Sequence, residues 1–167
     1  MGYQGVPQVC EGDLWSNWAG QQPSRNAFGF DGYQWLLDGS ALAGQTTQSY
    51  IPTADDVGHQ LSCTVTLTYT LFTATVSATS QAVPVKGAAE QLADLGDAVE
   101  GVGPGASLSN KLRNAQAALE RSDLGGTCSI LGAFVNQVNA QTGKSISPGT
   151  AFSLTTDATR IKTLLGC

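Results

Sequence analysis

Few residue types in this chain could carry chemistry, and each occurs in a spacing that can be tested against a reaction. The four cysteines stand at 10, 63, 128 and 167, and the chain has one histidine, His59. Tetrahedral zinc wants C-x-x-C pairs or mixed Cys/His clusters, and cysteines this far apart offer neither. A Ser-His-Asp triad would have to be built on His59 alone. Asp31, Asp38, Asp55 and Asp56 invite calcium, which needs six to eight converging oxygens, but no D-x-D-x-D-G loop is present and an Asp in a turn ordinarily bonds its own backbone. Paired carboxylates for glycoside hydrolysis are allowed by spacing, yet these acids fall on turns and outer faces. Gly101-Val102-Gly103-Pro104-Gly105 follows no strand and precedes no Lys-Ser/Thr pair, so it reads as a linker between helices rather than a phosphate loop. No catalytic residue, metal ligand or cofactor is therefore assigned. One aromatic group remains, Trp15, Trp18, Phe28 and Phe30, beside Pro23 and Gly29, and it is the candidate binding loop.

The elements that must hold these residues divide the chain. Residues 1–85 are rich in Thr, Ser, Gln and aromatics, and residues 86–167 in Ala, Leu and Asn. Charge divides as sharply: the first part sets Arg25 against Glu11, Asp13, Asp31, Asp38, Asp55 and Asp56, so it carries the formal net charge of −5. Phosphate backbones need clustered Lys and Arg, which excludes a nucleic-acid partner. Four cysteines admit three pairings. The division of the chain selects Cys10 with Cys63 and Cys128 with Cys167, each bond closing one half, at about 3–5 kcal/mol apiece in the chain-entropy description. Four free thiols in a cytosolic protein are the alternative. Disulfides imply an oxidising compartment, whereas Met1-Gly2-Tyr3-Gln4 lacks the basic and apolar regions of a signal peptide, so the expectation is a piece of a longer secreted or cell-surface chain. No apolar run is long enough to cross a bilayer, and no membrane insertion is expected.

In the first part, Tyr33 to Leu37 reads as a strand, Asp38-Gly39-Ser40 as a hairpin turn, and Ala41 to Ala43 as the return. Ser49 to Pro52 is a further strand, and Gln60 to Tyr69 alternates: Leu61, Cys63, Val65, Leu67 and Tyr69 share one face, Ser62, Thr64, Thr66 and Thr68 the other. A last strand runs from Ala74 to Val83 and ends at Pro84. In the second part the period changes. Leu92, Leu95 and Val99 form one stripe, and Leu108, Leu112, Ala115 and Leu119 a second that Gly125-Gly126 stops. Leu131, Phe134, Val135 and Val138 form a third, N-capped by Thr127, and Leu154, Ala158, Ile161 and Leu165 a fourth, with Ser147 as N-cap and Pro148 at the first helical position.

Over about residues 6–85, Cys10 with Trp15 five residues on, Tyr33-Gln34-Trp35-Leu36, Asp38-Gly39, Tyr50 and Asp56-Val57-Gly58 before Cys63 resemble the bacterial immunoglobulin-like repeats of exported proteins. The resemblance implies Trp35 packed on a Cys10–Cys63 bridge between two sheets. Over about residues 88–167, Leu108-Ser109-Asn110-Lys111-Leu112, Phe134 to Val138 and Ile161 to Cys167 are similar to the FIMAH-type helical module of exported bacterial proteins, which implies no enzyme activity. The expectation is a two-domain chain, an all-β immunoglobulin-like sandwich (1–85) plus an all-α small four-helix bundle (86–167). It would act as a non-catalytic structural or binding module for spacing, display, adhesion or self-assembly. Its partner would be a protein or glycan on a surface, or a second copy paired along the edge left by an incomplete strand A. A carbohydrate- or surface-binding role for residues 15–30 is the alternative; the plain reading of that loop has Trp15 and the phenylalanines capping the sandwich, with Trp18 exposed.

Overall fold

Leu61, Cys63, Val65 and Leu67 recur at every second position and are all buried, between 1% and 4% exposed, so one strand with one dry face organises the first part of the chain. The computed structural model describes residues 2–10, 32–69, 74–103 and 105–167. The chain divides into two units, Met1–Val85 and Lys86–Cys167.

In the first unit the strands are β1 (Gly2–Tyr3), β2 (Gln8–Val9), β3 (Gly32–Leu37), β4 (Ser40–Ala41), β5 (Ser49–Tyr50), β6 (Gln60–Tyr69), β7 (Ala74–Thr79) and β8 (Val83–Lys86). One six-stranded sheet has the order β1-β8-β6-β3-β4, with β7 also paired to β6, while β2 and β5 form a separate two-stranded ribbon. β6 is antiparallel to β3 with Trp35 opposite Cys63, and antiparallel to β7 with Thr64 opposite Thr79. Trp35, Leu61, Cys63, Val65, Val85 and Cys10 make the buried cluster.

The expected pairing of an all-β immunoglobulin-like sandwich with an all-α bundle is corrected by this topology. The chain is mixed α and β: its described residues form four helices, a six-stranded sheet and a ribbon of two two-residue strands. A sandwich needs two sheets of comparable reach facing each other. Between residues 42 and 59 only Ser49–Tyr50 is strand. Gly44 and Gly58, both at positive φ, and the 3-10 turn Ala54–Asp56 take up much of the rest. The last strand is also divided: residues 80–82 separate β7 from β8, and Pro84 lies inside β8 rather than ending it. Pro84 is tolerated because the bonds across to the β6 side come from Val85, whose amide donates to the His59 carbonyl (2.9 Å) and whose carbonyl accepts from Gly58 (3.0 Å).

The second unit comprises α1 (Ala88–Ala98), α2 (Ser107–Glu120), α3 (Leu124–Gln141) and α4 (Pro148–Leu164). Their apolar stripes close on Leu92, Leu112, Leu131, Phe134, Ala158 and Ile161, each fully buried. Ser147 caps α4 by accepting the Thr150 amide (3.1 Å) one residue ahead of Pro148, whose missing N–H costs nothing at the first position. The start of α3 differs from the sequence expectation. Asp123, not Thr127, is the cap, accepting the Gly126 amide (2.8 Å), so Gly125-Gly126 opens α3 instead of stopping α2. A Cβ on Gly126 would meet the Asp123 carboxylate, which explains why a poor helix former stands in a first turn. What turns the chain after α2 is Ser122 in the left-handed region, φ 59°.

Candidate functional site

The sole imidazole, His59, stands immediately before β6 and meets the turn of the β3–β4 hairpin. Asp38 and Gly39 both have positive φ, 50° and 78°, as a two-residue hairpin turn demands, and the turn aims the Asp38 carboxylate at the start of β6. One oxygen accepts the Gln60 amide (2.8 Å) and the other lies 2.6 Å from His59 Nδ1. The Gln60 amide, then His59, hold the Asp38 carboxyl below its ordinary value. An Asp–His pair is two-thirds of a triad, and acyl transfer would need a nucleophile on the far ring nitrogen. Among the described residues no hydroxyl is bonded to His59; what the bonds shown do is tie the hairpin turn to the start of β6. In His59→Ala the Asp38 carboxyl, followed by carbon-detected NMR, is expected to titrate higher than in the unmutated chain but still below the usual Asp value, because the Gln60 amide is the larger cause. A return to that usual value would assign the clamp to His59 alone.

Among the described residues, the acids that invite calcium in the sequence are engaged separately. Asp31 lies outside the described residues, Asp55 is exposed, and Asp56 is buried with one oxygen already taken. That oxygen accepts the Tyr50 hydroxyl (2.6 Å), the Thr53 amide (2.7 Å) and the Thr53 hydroxyl (3.0 Å). Among the described residues no three His, Cys, Asp or Glu side chains form a metal site. Burial, and then the Asp56 carboxylate, push the Tyr50 phenol up to about 12. A group with a raised folded pKa contributes stability that is intact below its unfolded value, here pH 10.0, and is lost as pH climbs through about 12. Melting temperature is therefore expected to fall more steeply across that window in the unmutated protein than in Tyr50→Phe; parallel curves would remove Tyr50 from the alkaline transition.

The glycine run between α1 and α2 has a feature not foreseen in the sequence. Gly101, Gly103 and Gly105 all take positive φ, and the turn they make borders a groove of about 760 Å³. Gly96, Asp97, Glu100, Ser109, Arg113 and Gln116 are among its lining residues. The signal that could have revealed it is Ala93 with Gly96, two small residues three apart on the α1 face that meets α2. Its charges are of both signs, and Arg113 is engaged with Asn110 (2.9 Å), so no single ligand chemistry is specified.

Both disulfides are present, Cys10–Cys63 in the first unit and Cys128–Cys167 in the second, and they fit an oxidising environment. Trp35 is buried opposite Cys63 and donates its indole N–H to the Thr47 carbonyl (2.9 Å). The binding-loop candidates Trp15, Trp18, Phe28 and Phe30 lie outside the described residues. The exposed aromatic among those described is Phe152 on α4, 73% accessible and off the Leu154–Ala158–Ile161 stripe. Among the described residues no helix is long and apolar enough to cross a membrane. No family model, no curated protein and no solved structure matches the chain.

Proposed function

We propose that the chain is a non-catalytic structural and binding portion of an exported bacterial protein, working through spacing, display, adhesion or self-assembly at a surface. The observation that supports this is that each unit carries its own disulfide, so both cores are tied where thiols oxidise. Its polar groups point the same way: the Asp38–His59 and Tyr50–Asp56 contacts spend their donors and acceptors on holding turns. A module that spaces or displays needs rigid, protease-resistant units more than a reactive cleft.

The test is export of the chain behind a bacterial leader, with mass mapping under nonreducing conditions. Two bonds in the pairing above, and a melting temperature well above that of the reduced protein, are expected. Free thiols with unchanged stability would overturn the proposal. A glycan array run on the same sample, with Trp18→Ala as control, separates display from carbohydrate binding: a signal lost in the variant would move the assignment to the loop at residues 15–30.

A further inference from the structure

From Gln60 to Val85 there is no charged side chain, in a unit otherwise dominated by acids. The edge strand β7, Ala-Thr-Val-Ser-Ala-Thr, lies within that stretch. Its inner side is paired to β6, and the alternation is fixed by the Ser80 amide, which donates to the Cys63 carbonyl (2.8 Å) across the same ladder. Every second residue then faces β6, namely 74, 76 and 78, so the amides and carbonyls of Thr75, Ser77 and Thr79 point away from it. Among the described residues no backbone bond reaches that outer row.

The two other strands that flank β6 each have a neighbour on their far side. β8 is paired with β1. Beside β3, the Leu42 amide bonds the Trp35 carbonyl (2.9 Å), and the Trp35 amide bonds the Gln45 carbonyl (3.0 Å). Natural edges that must stay single are blunted by Lys, Pro, a bulge or brevity. β7 has no Lys or Pro in its six residues and presents Val76 at 40% exposure. Placed antiparallel to itself about Val76, the strand sets Val76 against Val76 and Thr75 against Ser77. Like meets like: apolar on apolar, hydroxyl on hydroxyl. That register puts the outward groups of Thr75 and Ser77 in bonding positions and Val76 in the closer, non-bonded position, where apolar pairs gain most. An acidic unit also meets its copy most favourably where neither side brings a charge.

We infer that β7 is a self-pairing edge, through which a second copy of this chain extends the six-stranded sheet across a two-fold axis. This rests on the self-assembly arm of the function proposed above. Sedimentation velocity on the full, oxidised chain, from about 10 to 500 μM to suit an interface below standard size, is expected to pass from monomer to dimer. Val76→Lys sets two ammonium groups face to face and is expected to weaken the dimer at least about tenfold. Ser77→Pro removes an outward donor while sparing the ladder to β6, and is expected to be monomeric with a melting transition like that of the unmutated chain. Val9→Lys adds the same charge at a 55% exposed site on β2 and is expected to dimerise normally. A monomer throughout the range, or a Val76→Lys dimer as tight as the unmutated one, overturns the pairing. A monomer with both disulfides formed leaves spacing and display standing, whereas free thiols in the exported chain sink that reading without touching the edge.

Discussion

Phe134→Ala is expected to cost the helical unit about 3–5 kcal/mol, the usual penalty for emptying a fully buried phenyl site. Phe134 is 0% exposed at the centre of α3, packed in one cluster with Leu92, Leu112, Leu131, Leu154 and Ile161 from all four helices. The neighbours are supplied by every helix, so none can slide in to fill the void without leaving its own contacts. A domain's whole stability is about 5–15 kcal/mol, and a unit this small sits low in that range. Urea unfolding followed by helix circular dichroism should therefore show a much earlier midpoint, or a unit already unfolded without denaturant. Phe152→Ala removes the same side chain from a 73% exposed position and is expected to stay within about 0.5 kcal/mol. Equal losses at the two sites would mean that the packing of the bundle is not as described.

The two phenylalanines also mark what was legible in the sequence. Periodicity identifies a residue's face, so the stripe through Phe134 and the alternation of Leu61 to Leu67 could be read directly, as could Ser147-Pro148 at the start of α4. Faces do not say how many sheets will assemble. The sandwich was expected from a resemblance carried by a few residues, and Trp35 against Cys63 is indeed formed, but residues 42–59 spend their length on turns and a 3-10 helix rather than on a second sheet. Single-residue signals misled where two mechanisms share a residue type. Glycine usually ends helices, yet Gly126 serves the opposite end by giving the Asp123 carboxylate room, and the stop after α2 is a serine in a conformation that serine seldom takes. The groove beside α1 was missed for a related reason: glycines at 101, 103 and 105 spell a linker, which draws attention away from the small pair Ala93 and Gly96 that borders the same groove of about 760 Å³. The aromatic residues 15, 18, 28 and 30 lie outside the described residues.

Mild reduction without denaturant is expected to open Cys128–Cys167 long before Cys10–Cys63. Thermodynamics alone does not separate them: sequence separations of 53 and 39 correspond to about 4 kcal/mol each in the chain-entropy description, because that term grows only logarithmically. Access does separate them. Thiol–disulfide exchange requires a thiolate to reach a sulfur. Cys10 and Cys63 are 0% and 4% exposed inside the β-unit core, whereas Cys167 is exposed and Cys128 only half-buried. The first bond can be attacked only after the sheet opens, so its rate follows unfolding. The second is open to attack in the folded unit. Timed quenching with an alkylating reagent should label Cys128 and Cys167 first, and the partly reduced protein should keep its helix signal, because Leu154, Ala158 and Ile161 hold α4 in the core independently of the crosslink. Its melting temperature should nonetheless drop, since the loop-closure constraint on the unfolded chain is gone. Labelling of all four cysteines at one rate would show that the core around Cys10 and Cys63 admits reductant as freely as the end of α4, and the accessibility argument would fall with it.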